Sequence, residues 1–157
     1  MLERNLLWSL SAALALFIAS PAASAAPKWL ITPEEAARVG TVTDEFKEPV
    51  AAVGGPGPLI IVRNPKILQN VPSPVDILVT FEPGESGRPP DMNTLNVTLI
   101  GFFTIDITDR ILEYVRTAAL DIKQAELPVG SHRLRMAIKD VEGNSNERDV
   151  VLWVVKE

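Results

Sequence analysis

The chain has 157 residues, about the length of one domain, and its 15 Lys and Arg against 20 Asp and Glu give a formal net charge of −5. It has no cysteine and one histidine, His132, which excludes a disulfide framework, a thiol nucleophile, a lipid-modified cysteine and a zinc site built from several Cys or His. The acidic balance argues against nucleic acid as a ligand, because such an interface needs clustered Lys and Arg.

The N-terminus has the pattern of a secretory signal peptide. Arg4 supplies a positive charge, residues 6–19 form an uncharged apolar run, and Ala23-Ser24-Ala25 is a small-residue cleavage motif. A membrane span needs roughly 20 apolar residues, so the shorter run favours a cleaved signal over an anchor. We therefore expect a bacterial Sec-type signal peptide at residues 1–25 and a mature protein, beginning at Ala26, that is periplasmic or secreted.

Residues 26–58 are predicted to form an irregular N-terminal arm that ends in a linker rich in Gly and Pro. Within the arm, Thr32 and Glu35 have the spacing of a capping box, which predicts a helix of one or two turns. The linker, residues 54–58, interrupts any regular structure. A compact domain is predicted for residues 59–157.

The domain is predicted to be mainly β. Segments with apolar residues at every second position, or with short apolar runs, predict strands at residues 59–63, 75–82, 95–99, 120–127, 133–139 and 148–155. Residues 108–117 instead have apolar side chains at helical spacing, which predicts a short connecting helix with Thr108 as its N-cap. Short strands, frequent turns and one connecting helix favour an antiparallel β-sandwich.

The C-terminal third contains a run with a distinctive form, Leu127-Pro128-Val129-Gly130-Ser131-His132-Arg133-Leu134, followed by a strand to Asp140 and by Gly143-Asn144. This run resembles the end of many bacterial immunoglobulin-like extracellular domains, and residues 95–108 resemble the strand-to-helix passage of the same group. The resemblance covers residues 59–155. It implies an Ig-like, fibronectin-III-like sandwich that serves as an adhesion, spacer or interaction module, and it is nearly silent on activity.

Five residues of this run are predicted to build turns: Pro128, Gly130, Asp140, Gly143 and Asn144. Proline fixes φ, glycine and asparagine adopt left-handed conformations, and the Asp140 carboxylate can accept hydrogen bonds from the turn backbone. Calcium is an alternative for Asp140, Glu142 and Asn144, because alternating oxygen ligands suit a hard cation. Turn structure is favoured, since the further acidic ligands of a full calcium loop are missing.

Two further polar features could suggest catalysis. Asp106 and Asp109 could form an acid pair, but carboxylates at the start of a helix usually cap backbone N–H groups, and no third carboxylate is identified across a cleft. His132 shares a strand face with apolar residues and has no nucleophile motif beside it, which disfavours a catalytic triad. We therefore predict a protein that is not an enzyme and has no cofactor.

The last two strands carry a candidate interaction surface formed by Arg133, Arg135, Val151, Trp153 and Val155. Arg133, Arg135 and Lys139 make a small basic stripe, which acidic residues of a neighbouring strand are expected to neutralise. Three apolar side chains at alternate positions of the last strand point outward and need a cover.

The pairing of these two strands is predicted from their faces. Pairing Asp140 with Asn146 around a five-residue loop sets core residues opposite core residues and places Arg133 opposite Trp153. The cover of the outward face is then either the arm, through residues 29–31, or another protein. We favour the arm, because a tethered segment has a high effective concentration.

The leading functional prediction is an exported, non-catalytic binding or structural module that presents this surface to another envelope or extracellular protein. The alternative is an accessory domain that binds glycans, with or without calcium, and a hydrolase is less favoured. Glycan binding requires exposed aromatic side chains on one surface, and the candidates are Trp29, Phe46, Phe102, Phe103, Tyr114 and Trp153. We expect neither nucleic acid as a partner nor a membrane span after signal cleavage.

Overall fold

The computed structural model describes residues 29–40, 56–67 and 69–156, in which strands predominate. Its elements in chain order are α1 (Pro33–Val39), β1 (Leu59–Asn64), β2 (Asn70–Pro72), β3 (Val75–Glu82), β4 (Pro90–Ile100), β5 (Thr104–Asp106), α2 (Thr108–Leu112), β6 (Val115–Arg116), β7 (Ala119–Ala125), β8 (Gly130–Asp140) and β9 (Ser145–Val155). The predicted signal peptide and the first residues of the predicted linker lie outside the described residues. The prediction of a mainly β fold is confirmed.

The strands form two sheets, one with the order β1-β3-β7-β6 and the other with the order β2-β9-β8-β4-β5. All pairings between these strands are antiparallel except that of β2 with β9. In β3 the buried positions alternate along the whole strand, so one face packs into the core as its apolar pattern predicts. The core lies between the two sheets, as in a β-sandwich.

The short helix α1 begins as its capping box predicts. The Thr32 hydroxyl accepts a hydrogen bond from the Glu35 backbone N–H at 3.2 Å, and the Glu35 carboxylate accepts one from the Thr32 N–H at 2.9 Å. Two N–H groups that the first turn would leave unpaired are therefore satisfied by side chains.

The described part of the arm belongs to the core, although the sequence interpretation treated it as separate from the domain. Leu30, Ile31 and Val39 are buried together with core residues of the two sheets. The Leu30 N–H donates a 3.1 Å hydrogen bond to the carbonyl of Glu126, just after β7. The end of the linker is also packed, because Asn146 donates a side-chain hydrogen bond to the buried Pro58 carbonyl at 2.9 Å.

The connecting helix is shorter than predicted, and Thr108 is not its N-cap. Helix α2 covers five residues rather than 108–117, because β6 leaves the helical path and pairs with β7. The Thr108 hydroxyl accepts a hydrogen bond from the Val97 N–H at 2.9 Å, while the Asp106 carboxylate accepts one from the Thr108 N–H at 2.8 Å. Sheet pairing therefore overrides the apolar spacing in the second half of the segment.

The predicted register of β8 and β9 is wrong by two residues. The structure pairs Lys139 with Ser145, and the Asp140 N–H donates to the Asn144 carbonyl at 2.9 Å, so the loop is tighter than predicted. Leu134 consequently lies opposite Val150. A shift of two residues preserves the alternation of faces, so the assignment of inward and outward side chains in these strands stands.

Candidate functional site

The outer face of the five-stranded sheet holds an ion-pair cluster around one acidic residue. The Asp149 carboxylate accepts hydrogen bonds from Arg135 Nε at 2.7 Å and from Arg133 Nε at 2.8 Å, and its side chain is only 3% exposed. Burial raises the pKa of Asp149, but the hydrogen bonds from Arg135 and Arg133 outweigh it and lower that pKa below its usual range. The predicted pairing with an acidic residue of the neighbouring strand is thus observed for both arginines, but one carboxylate balances only one of the two guanidinium charges.

The apolar members of the predicted interaction surface lie beside this cluster. Arg133 is opposite Val151, and Ser131, rather than Arg133, is opposite Trp153. Val151 is buried and Trp153 is half-buried, whereas Val155, near the end of the sheet, is exposed. The outward strip of β9 therefore becomes more accessible toward the end of the strand.

Leu30 and Ile31, which were expected to cover this strip, are buried in the core instead. Leu30 lines a small apolar cavity between the sheets together with Val150 and Leu152, whose side chains point to the face opposite Trp153. The Leu30 side chain loses more contact with water between two sheets than it would on one outer face. This explains why it packs in the core and not on the outward strip. The cavity, of about 30 Å³, has room for a water molecule but not for an organic ligand.

Exposed apolar side chains concentrate at one end of the five-stranded sheet. Antiparallel pairing places the end of β4, the start of β8 and the end of β9 side by side, since Ile100 is opposite Arg133 and Gly130 is opposite Val154. The described residues include seven exposed large apolar side chains, and four of them lie at this end. We call this the apolar end; it consists of Phe102, Phe103, Val129 and Val155.

The turn between β4 and β5 carries the most exposed of these side chains. Phe102 is 87% exposed and Phe103 57% exposed. The two rings meet edge to face, with centroids 5.1 Å apart and planes at 82°. We call Phe102 and Phe103 the aromatic tip; sequence analysis included both only in a general set of aromatic residues.

Helix α1 holds the backbone of the aromatic tip. The Phe102 N–H donates a 2.7 Å hydrogen bond to the Val39 carbonyl at the end of α1, and the Gly101 N–H donates to the Phe103 carbonyl at 3.2 Å. A Cβ atom on Gly101 would overlap the Val39 carbonyl, so only glycine allows this approach. The backbone of the tip is therefore hydrogen-bonded to the end of α1, while its rings face outward.

An ion pair fastens α1 to the domain. The two oxygens of Glu35 accept hydrogen bonds from Arg110 of α2 at 2.8 and 2.5 Å, and Arg110 also donates to the Leu30 carbonyl at 3.0 Å. The hydrogen bonds from Arg110 lower the pKa of Glu35 to about 2. Through the forked contact with Glu35 and the bond to Leu30, one side chain holds the described arm segment at two points.

The turn between β8 and β9 uses Asp140 as predicted. Its carboxylate accepts hydrogen bonds from the backbone N–H groups of Glu142 and Asn144, both at 2.9 Å, and from the Ser86 hydroxyl at 2.6 Å. Burial raises the pKa of Asp140, but the bonds from Ser86, Asn144 and Glu142 together lower it to about 2. The Asp140 oxygens are therefore occupied by hydrogen bonds that stabilise the turn, which favours a structural role for Asp140 over calcium binding.

Two of the residues considered for catalysis, Asp106 and His132, have separate structural roles. Asp106 accepts hydrogen bonds from Thr108 and Asn96, and the bonds from Thr108 are the main cause of its lowered pKa, which makes it a poor proton donor. The buried His132 has Nε2 at 2.7 Å from the Pro128 carbonyl, and burial lowers its pKa. His132 thus braces the turn that precedes β8.

In comparisons with family models, with curated proteins and with solved structures, nothing matches this chain. Within residues 29–40, 56–67 and 69–156, none of the helices has the length and apolar character needed to span a bilayer.

Proposed function

We propose that the protein is an exported, non-catalytic Ig-like module that presents the outer face of its five-stranded sheet to another envelope or extracellular protein. The supporting observation is the composition of that face, where Trp153 and Val155 continue outward from the Arg–Asp–Arg cluster. Tryptophan and arginine are the residue types most enriched among side chains that dominate protein interfaces. A solvent-facing strand surface would instead carry mainly polar residues.

Site-specific photocrosslinking in the native envelope tests this proposal. A photoreactive amino acid at Val155 should give one discrete adduct with a second protein, and Trp153→Ala should reduce its yield at least several-fold. The control is the same probe at Val141, which is also exposed but lies at the opposite end of β8. Equal adducts from both positions, or none from Val155, would contradict the proposal.

Glycan binding is the less supported function. Sugar rings stack on flat aromatic platforms, whereas the planes of Phe102 and Phe103 stand at 82° to each other and leave no shared flat surface. A titration of the protein with envelope polysaccharides should therefore give no heat that depends on either ring. A binding heat that is measurable with the wild type and lost in Phe102→Ala would favour glycan binding over protein binding.

Export is part of the proposed function and rests on the N-terminal pattern of a charge, an apolar run and a cleavage motif. Intact-mass measurement on envelope fractions should show a mature species that begins at Ala26. A dominant species that retains Met1 would contradict signal cleavage.

A further inference from the structure

Arg135 has one hydrogen-bonded edge and one open edge. Its Nε and Nη2 atoms donate to the two Asp149 oxygens at 2.7 and 3.0 Å, which fixes the plane of the guanidinium group on the outer face of the five-stranded sheet. Its Nη1 atom donates no hydrogen bond to any residue that the structure describes, and the side chain is 39% exposed. The Nη1 donors are therefore available to a partner, and the group that carries them is already oriented.

The Asp149 carboxylate has no capacity left for a further cation. Besides the two bonds from Arg135, it accepts hydrogen bonds from Nε and Nη2 of Arg133, and it is only 3% exposed. One negative charge therefore serves two guanidinium groups. The Arg133 side chain is 14% exposed, so a charge from outside reaches the surplus positive charge most readily at Arg135.

Glu147 is the other acidic side chain that interacts with Arg135. It attracts Arg135 electrostatically, but within the described residues it forms no hydrogen bond or ion pair with it. Thr98, which lies opposite Arg135 on β4, is uncharged. An incoming carboxylate would thus find the open edge of Arg135 unoccupied, with one negative charge nearby to weaken its binding.

We propose that the protein partner of the outer sheet face presents an Asp or Glu carboxylate to the open edge of Arg135. This inference rests on the proposed function and names the chemistry that the partner must bring. A guanidinium group whose plane is fixed loses little side-chain entropy when it pairs with a carboxylate through two hydrogen bonds. Trp153 lies four residues beyond Asp149 on the same face, so the partner should also carry an apolar side chain about 13 Å from this carboxylate.

Charge variants of Arg135 and Glu147 test the proposal, with the adduct of the photoreactive amino acid at Val155 as the measurement. Arg135→Gln should lower the adduct yield about fivefold or more, because a charged contact with two hydrogen bonds is lost. Arg135→Lys keeps the charge but not the fork, and should lower the yield about threefold. Glu147→Gln should raise it about twofold, since it removes the negative charge that repels the incoming carboxylate.

The matched control is Lys139→Gln, which removes one positive charge from the same face of β8 and should leave the adduct yield unchanged. Urea unfolding of each variant identifies conditions in which all of them are folded. The surface change Glu147→Gln also leaves both arginine contacts of Asp149 in place.

Three results overturn the proposal. Lys139→Gln could lower the yield as much as Arg135→Gln, which would indicate general charge attraction, or Glu147→Gln could lower the yield. An adduct that does not respond to any charge variant would overturn this inference alone. Absence of the adduct in the wild type would overturn the proposed function together with it.

Discussion

His132 gives the stability of the protein a dependence on pH near neutrality. Burial lowers its pKa in the folded state below the ordinary 6.5, so the unfolded chain takes up this proton more readily. The free energy of unfolding should therefore decrease as the pH falls below about 6.5. Urea unfolding between pH 8 and pH 5 measures this decrease, and His132→Gln should remove it. A slope that persists in the variant would contradict this assignment.

A second loss of stability, at more acidic pH, is expected from two carboxylates whose pKa is lowered in the folded state. Glu35 and Asp140 both have a pKa of about 2 in the folded state, so their stabilisation is present above the unfolded values near 4 and is lost as the pH falls toward 2. The same titrations, continued to pH 2.5, should show this second decrease in His132→Gln as well as in the wild type.

Gly101 is the residue on which the packing of the aromatic tip depends. A Cβ atom there would overlap the Val39 carbonyl, so Gly101→Ala has to displace either the turn or the end of α1. We expect a loss of about 1–3 kcal/mol in the free energy of unfolding, as for other forced contacts in packed regions. Phe102→Ala, next to it but exposed, should change stability by less than about 0.5 kcal/mol. Equal effects in chemical denaturation would refute the close contact.

At the scale of elements, the two faces of β9 should respond differently to truncation. Leu152 is buried in the core, so Leu152→Ala should lower the free energy of unfolding by about 2–5 kcal/mol. Trp153 is half-buried, so Trp153→Ala should lower it by less. Thermal and urea unfolding of both variants measure the difference. A larger loss for Trp153→Ala would show that the inward and outward faces of this strand have been exchanged.

Sequence reasoning predicted strands better than the pairing between them. Alternation in β3 marks the buried face directly, because side chains of a strand point to opposite sides. The β8–β9 register escaped prediction by two residues, since a shift of two keeps every side chain on its face. The decisive contact, Asp140 N–H to the Asn144 carbonyl, is a property of the loop and not of the apolar pattern.

Short elements that depend on distant partners were also missed. Strand β2 has three residues and pairs in parallel with β9, far along the chain, so it has no local pattern that could reveal it. The aromatic tip was missed as a unit for a similar reason. A glycine followed by two phenylalanines between two strands predicts a turn with exposed rings. The hydrogen bond that holds this turn comes from Val39, some 60 residues away in the sequence.

For the whole molecule, the described arm residues should be required for full stability. Leu30 is buried beside core residues of both sheets, so Leu30→Ala should lower the free energy of unfolding by about 2–4 kcal/mol in a single cooperative transition. Glu34→Ala, at an exposed position of the same segment, is the control and should stay near the wild type. An unchanged midpoint for Leu30→Ala would mean that the arm is dispensable.

The placement of the arm also has a consequence for synthesis. Leu30, Ile31 and Val39 emerge early from the ribosome, but Phe102, Arg110 and Glu126, which bind this segment, are made about 60 to 95 residues later. At about 5–20 residues per second, these apolar side chains wait roughly 3–20 s for their partners. During this interval the exposed side chains can be bound by chaperones that hold unfolded chains. The final core can form only after most of the chain has been synthesised.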